Sequence, residues 1–69
     1  MRIESEVTGV VCRVEAQPGQ VVAEGDTLLL VESMKMEIPI CADRAGTVAE
    51  VLVAEGDMVS DGQVVAVLR

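Results

Sequence analysis

Residues 46–68 read GTVAEVLVAEGDMVSDGQVVAVL, and residues 9–31 read GVVCRVEAQPGQVVAEGDTLLLV. Set 37 positions apart, the two segments pair Gly9 with Gly46, Gly19 with Gly56 and Gly25 with Gly62, which accounts for all six glycines of the chain. The same offset pairs Val11 with Val48, Val14 with Val51 and Val22 with Val59, so turn and core positions repeat together. Two similar halves are implied, about residues 9–31 and 46–68. Two copies are too few for a solenoid, whose units need several neighbours, and the product expected is a closed sandwich in which each half covers the other with quasi-twofold symmetry.

The composition sets the fold class. Sixty-nine residues make a single domain spanning 1–69, one that buries only about 60% of the surface of its unfolded chain. Apolar residues make up 51% of the sequence and aromatic residues none, so the core is aliphatic. Fourteen valines against two prolines favour pleated strands, because a branched Cβ loses rotamer freedom in a helix and packs well on a sheet. The chain reads as all-β. Strands are predicted at about Gly9 to Glu15, Thr27 to Glu32, Met36 to Cys41, Thr47 to Val53 and Val64 to Leu68, with an edge strand at Arg2 to Ser5. Between them, QPGQ, two copies of AEGD, and SDGQ each place glycine third in a four-residue turn, where positive φ is often required. In TVAEVLV strict alternation would put Val48 and Glu50 on one face, which predicts a bulge.

Several function classes are excluded or disfavoured. The net charge of −7 repels nucleic-acid backbones and anionic lipid headgroups. No apolar run approaches the roughly 20 residues needed to cross a bilayer, and the N-terminus lacks a signal-peptide core, so the chain reads as cytoplasmic. Histidine is absent and the two cysteines show no CxxC spacing, which leaves no metal or redox signature. Cys12 and Cys41 read as small buried apolar residues. Met58, opposite Val21 in the repeat, reads as core. Asp26, Asp57 and Asp61 read as turn residues rather than acid/base groups. No serine or cysteine has a base partner, and the chain is expected to catalyse nothing itself.

One window does not fit this regular pattern. In VESMKMEIPI, Val31 to Ile40, a hairpin joining Val31 to Ile38 must turn at Met34 and Lys35. Tight two-residue hairpins favour Asn-Gly because both central residues take positive φ, yet this tip carries two long side chains. A conflict between local rule and global pattern often marks a functional position. The bland alternative is a solvated lysine with Met34 and Met36 filling gaps in the core.

The longer window ESMKMEIPICADRAGTV resembles the attachment site of biotinyl domains, the carrier modules of biotin-dependent carboxylases, and in particular the short biotin/lipoyl attachment proteins. The resemblance covers nearly the whole chain, since the G-x-V opening of each half and the EGD turns belong to the same family pattern. It implies a flattened barrel-sandwich hybrid of two antiparallel sheets, without the protruding thumb of some carriers because Gly19 and Gly25 are as closely spaced as Gly56 and Gly62. It implies biotin as the cofactor on Lys35, with Glu32, Ser33, Met34, Met36 and Glu37 as the residues a biotin protein ligase recognises. Ser33 stands where many relatives have alanine, which leaves fine ligase preference open.

The partners implied are that ligase, a biotin carboxylase and a carboxyltransferase, with the isolated domain a monomer. A free lysine has a pKa near 10.4, so its ammonium needs an enzyme to acylate it. Two other readings stand beside this one. A lipoyl or dual biotin/lipoyl carrier shares the lysine position, although methionine on both sides favours biotin. An unmodified interaction module would keep the scaffold without the cofactor. The acceptor substrate of any carboxylase lies outside the sequence of this module.

Overall fold

Short valine-rich runs between glycine turns become eight strands in the computed structural model, which describes residues 1–69. In chain order they are β1 (Arg2–Glu4), β2 (Gly9–Val14), β3 (Val21–Val22), β4 (Thr27–Ser33), β5 (Met36–Cys41), β6 (Gly46–Val51), β7 (Met58–Val59) and β8 (Val64–Leu68). They form two antiparallel four-stranded sheets, ordered β1-β8-β6-β3 and β5-β4-β2-β7. Adding 37 to the numbers of β2, β3 and β4 lands on β6, β7 and β8, and adding it to β1 lands within β5. The two sheets therefore have equivalent strand orders, and the quasi-twofold relation read from the repeat is the symmetry of the fold.

Four turns hold the halves in shape, at residues 17–20, 23–26, 54–57 and 60–63. In each, the fourth residue donates its N–H to the first carbonyl, from Gln20, Asp26, Asp57 and Gln63 at 2.9–3.1 Å. Each turn is closed a second time by the side chain of that fourth residue. Asp57 Oδ2 accepts from the Ala54 N–H at 2.9 Å, Asp26 Oδ2 from Ala23 at 2.9 Å, and Gln20 and Gln63 do the same through Oε1. Gly56, third in its turn, sits at φ 91°, a conformation an L side chain rarely adopts, and Gly19, Gly25 and Gly62 match it within 2°. The turns also lock sheet to sheet. Gly56 N–H donates to Val11 O at 2.8 Å, and its symmetry counterpart Gly19 donates to Val48 O at 2.7 Å. Asp26 and Asp57 thus act as turn residues, while Asp61 contributes its backbone N–H to Thr8 Oγ1 at 3.0 Å.

The core lies between the sheets and is wholly aliphatic, with Val11, Leu28, Leu29, Val31, Val48, Val59, Val65 and Leu68 almost completely buried. Each such side chain contributes roughly 1.5–3 kcal/mol on burial. Register shifts adapt the strands to this filling. The predicted bulge falls between Val48 and Glu50, and the first half repeats it between Val11 and Arg13. A further shift between Thr27 and Leu29 puts the neighbours Leu28 and Leu29 both inside, which strict alternation forbids. Gly9 and Gly46, read from the repeat as turn glycines along with the other four, instead open strands β2 and β6 without positive φ. Gly9 is needed for space, since a Cβ there would run into the Glu32 carbonyl. The equivalent atom on Gly46 would meet the Arg69 carbonyl at 3.0 Å.

Several sequence expectations are corrected. The two-residue strands β3 and β7 are absent from the predicted set, because a single ladder step leaves no periodicity to read. Met58 is 73% exposed and Val21 77%, so neither is core; both lie on these short edge strands and point outward. Cys12 is only half-buried, its thiol donating to Leu30 O at 3.4 Å, and Cys41 is exposed on edge strand β5. Both thiols are free.

The ends of the chain pair with each other. The Met1 ammonium donates to Leu68 O, and Leu68 N–H donates to Met1 O at 2.6 Å. From its start beside Glu32, β2 runs toward the turn at residues 17–20, which bonds Val48 at the start of β6, where Leu68 and Arg69 also pair. The paired termini therefore lie at the opposite end of a molecule 30 Å long from the hairpin joining β4 and β5.

Candidate functional site

The hairpin between β4 and β5 is held by six register pairs from Thr27↔Cys41 to Ser33↔Met36. Val31, Leu29 and Ile40 are buried along it and fix which face turns inward. Two residues are left to bridge Ser33 and Met36, and they take the backbone conformation that a twisted two-residue hairpin demands. Met34 lies at φ 53° and Lys35 at φ 64°, the only non-glycine residues with positive φ in the protein. For L residues this costs about 1–2 kcal/mol each. The long ladder imposes it, and strain of this kind gathers at functional sites.

The strained tip is open to solvent. Lys35 is exposed, Met34 is 91% exposed and Met36 60%. The reading in which the two methionines fill gaps in the core is excluded by these exposures. Lys35 is also the single lysine of the chain, the other four cations being Arg2, Arg13, Arg44 and Arg69. Glu32 and Glu37 face each other directly across β4 and β5, one step behind the tip. Opposed like charges cost a few tenths of a kcal/mol up to about 1 kcal/mol. Neither carboxylate has a cationic partner, since the one salt bridge in the molecule joins Arg44 and Asp43 at 3.3 Å. The structure thus brings together all six residues singled out from the sequence: Glu32, Ser33, Met34, Lys35, Met36 and Glu37.

Sequence reasoning missed two neighbours of this group. Val10 is in register with Glu32, and Met58 with Val10, so both stand on the outer face beside the acidic pair. A signal was present in the repeat, where Val10 is matched by the polar Thr47, a substitution that an inward position would not accept without burying a hydroxyl.

The arrangement sets Lys35 at the end of the β4–β5 hairpin, with Glu32 and Glu37 one step behind it. What it offers is one primary amine on a rigid, exposed tip, the geometry of an attachment point. A quasi-symmetric barrel-sandwich of two four-stranded sheets with a lone lysine at the hairpin between its halves defines a carrier domain. The family model described as "Biotin-requiring enzyme" matches residues 1–68, and the chain belongs to that family.

Similar proteins agree with that placement. The biotinylated protein TB7.3 homolog of Mycobacterium leprae is 41% identical over 96% of this chain and 93% of its own length. The biotin/lipoyl attachment protein of Bacillus subtilis is 42% identical over 93% of this chain and 88% of its own. Among solved structures, the urea carboxylase of Kluyveromyces lactis superposes with a TM-score of 0.95 at 36% identity, covering all of this chain and 6% of that one.

Proposed function

We propose that the protein is a biotin carboxyl carrier module in which Lys35 bears biotin. The observation that carries this reading is Lys35 itself: the only lysine, held at positive φ on an exposed tip between two exposed methionines, in a chain of the biotin-requiring family. A biotin protein ligase acylates it. The Lys35 Nζ, once deprotonated in the ligase, attacks the carbonyl of adenylated biotin, an amide forms, and AMP and a proton leave. Glu32, Ser33, Met34, Met36 and Glu37 are the residues that the ligase reads. The acylation removes one positive charge, taking the formal net charge from −7 to −8.

When attached, biotin supplies a ureido nitrogen that accepts a carboxyl group and gives it up again. The chain itself catalyses neither transfer. Its buried core and doubly closed turns keep the barrel rigid, while Lys35 contributes a long flexible arm. Shuttling between a biotin carboxylase and a carboxyltransferase then becomes effectively intramolecular, with local concentrations toward the millimolar range typical of short tethers. A cytoplasmic setting, where ATP is available to the ligase, suits the reaction.

The name of the Bacillus subtilis relative favours a second reading, lipoylation of the same lysine, alone or in alternation with biotin. Intact mass after incubation with a biotin protein ligase, and separately with a lipoyl ligase, decides between them. A single biotinyl adduct mapped to Lys35 is expected. A lipoyl adduct alone promotes the second reading, and no adduct on a folded protein leaves an unmodified interaction module.

A further inference from the structure

Met58, Val10, Glu32 and Glu37 form one row across β7, β2, β4 and β5, each in register with the next. Their strand neighbours Val11, Val31 and Val59 point inward and are buried, so the row lies on the outer face of the sheet. It stands two to three residues behind Lys35, about 7–10 Å along the strand. A protein that takes Lys35 into its active site and buries roughly 800 Å² of this molecule has the row inside its footprint.

Neither half of the row belongs to the buried core. Val10 is 39% exposed and Met58 73%, and neither packs against the core cluster. The carboxylates of Glu32 and Glu37 oppose each other with no neutralising cation. The pseudo-twofold supplies an internal control at the far end of the molecule. There Val21 replaces Met58, Thr47 replaces Val10 and Arg69 replaces Glu32, each 37 positions away. The apolar pair is broken and the charge is reversed, although Thr47 and Arg69 are joined by the equivalent backbone bonds at 2.9–3.0 Å.

We propose that the row Met58, Val10, Glu32 and Glu37 is the docking strip for the enzyme that acylates Lys35, a protein surface offering an apolar socket beside basic side chains. The inference rests on the biotin-carrier reading and adds the residues that position the ligase. Met58 and Val10 anchor the encounter, and the acidic pair steers it. Arg69, by repelling the same basic surface, keeps the ligase off the pseudo-equivalent end, which has the same backbone shape and no lysine.

The test is steady-state biotinylation of the full chain by purified biotin protein ligase with biotin and ATP, varying the concentration of the domain. The double variant Val10→Thr/Met58→Gln is expected to raise KM about tenfold with kcat within about twofold, the signature of lost binding common to ground and transition states. Val21→Gln, equally exposed at the far end, leaves both parameters at wild-type values. Glu32→Gln/Glu37→Gln flattens the dependence of kcat/KM on ionic strength, as loss of steering requires. Melting temperatures check that each variant is folded. An unchanged KM for the double variant, or an equal rise for Val21→Gln, overturns the strip while leaving the carrier reading intact. A wild-type protein that takes up no biotin overturns both.

Discussion

Five tight turns shape this molecule, and four of them obey the rules that the fifth breaks. The turns at residues 17–20, 23–26, 54–57 and 60–63 place glycine where φ is positive and close themselves twice, through backbone and side chain. The turn at Met34 and Lys35 asks for positive φ at two consecutive positions and has glycine at neither. Turns that only need to hold the barrel together are chemically optimised. The one that presents an amine is held in place by the strands behind it and is locally unfavourable, which is the pattern expected where function overrides stability.

The contrast is broken most completely by Lys35→Arg. Guanidinium keeps its proton and does not attack an acyl carbonyl, so biotinylation is expected to fall to zero with the melting temperature unchanged; any adduct in the intact mass would remove Lys35 from the site. Next in size is Gly9→Ala, whose Cβ collides with the Glu32 carbonyl and is expected to cost about 2 kcal/mol in urea denaturation. Gly46→Ala, with 3.0 Å of clearance, costs less, and an equal loss at the two sites would show that the symmetry is closer than the backbone suggests.

Replacing the tip by the pair its geometry prefers, Met34→Asn with Lys35→Gly, sharpens the comparison further. That double variant is expected to gain about 1 kcal/mol of stability while losing modification. No gain would mean that the tip stores no strain. The smallest effect is expected for Met36→Leu, where initial rates of biotinylation fall several-fold with little change in melting temperature. A large loss of stability there would return Met36 to the core, against its exposure.

Much of this architecture is legible in the sequence. The 37-residue offset carries the symmetry, four of the six glycines carry the turns while Gly9 and Gly46 open strands, and the clash of pattern at Val48 and Glu50 carries the bulge. The two-residue tip follows from counting between Val31 and Ile38, in spite of residues that argue against such a turn. What does not show in the sequence depends on contacts across strands. β3 and β7 consist of one ladder step each, too short for alternation to mark a face, and Met58 therefore reads as inward although it points outward. Cys41 reads as buried because hydropathy does not reveal that a residue lies on an edge strand. The strip beside Lys35 is hidden for the same reason, since Met58, Val10 and Glu32 are 48 and 22 positions apart in sequence and meet only through register.

The pairing of Met1 with Leu68 has a consequence for polymer connectivity. Two ends separated by one strand spacing make the folded domain equivalent, for any polypeptide continued through both, to a loop of a few residues. Loop-closure entropy grows only with the logarithm of the span that must be closed, and here the fold has already closed it. Such a polypeptide would carry the module as a pendant group, the hairpin tip with Lys35 facing outward at the far end of a molecule 30 Å long, with almost no perturbation of its own path.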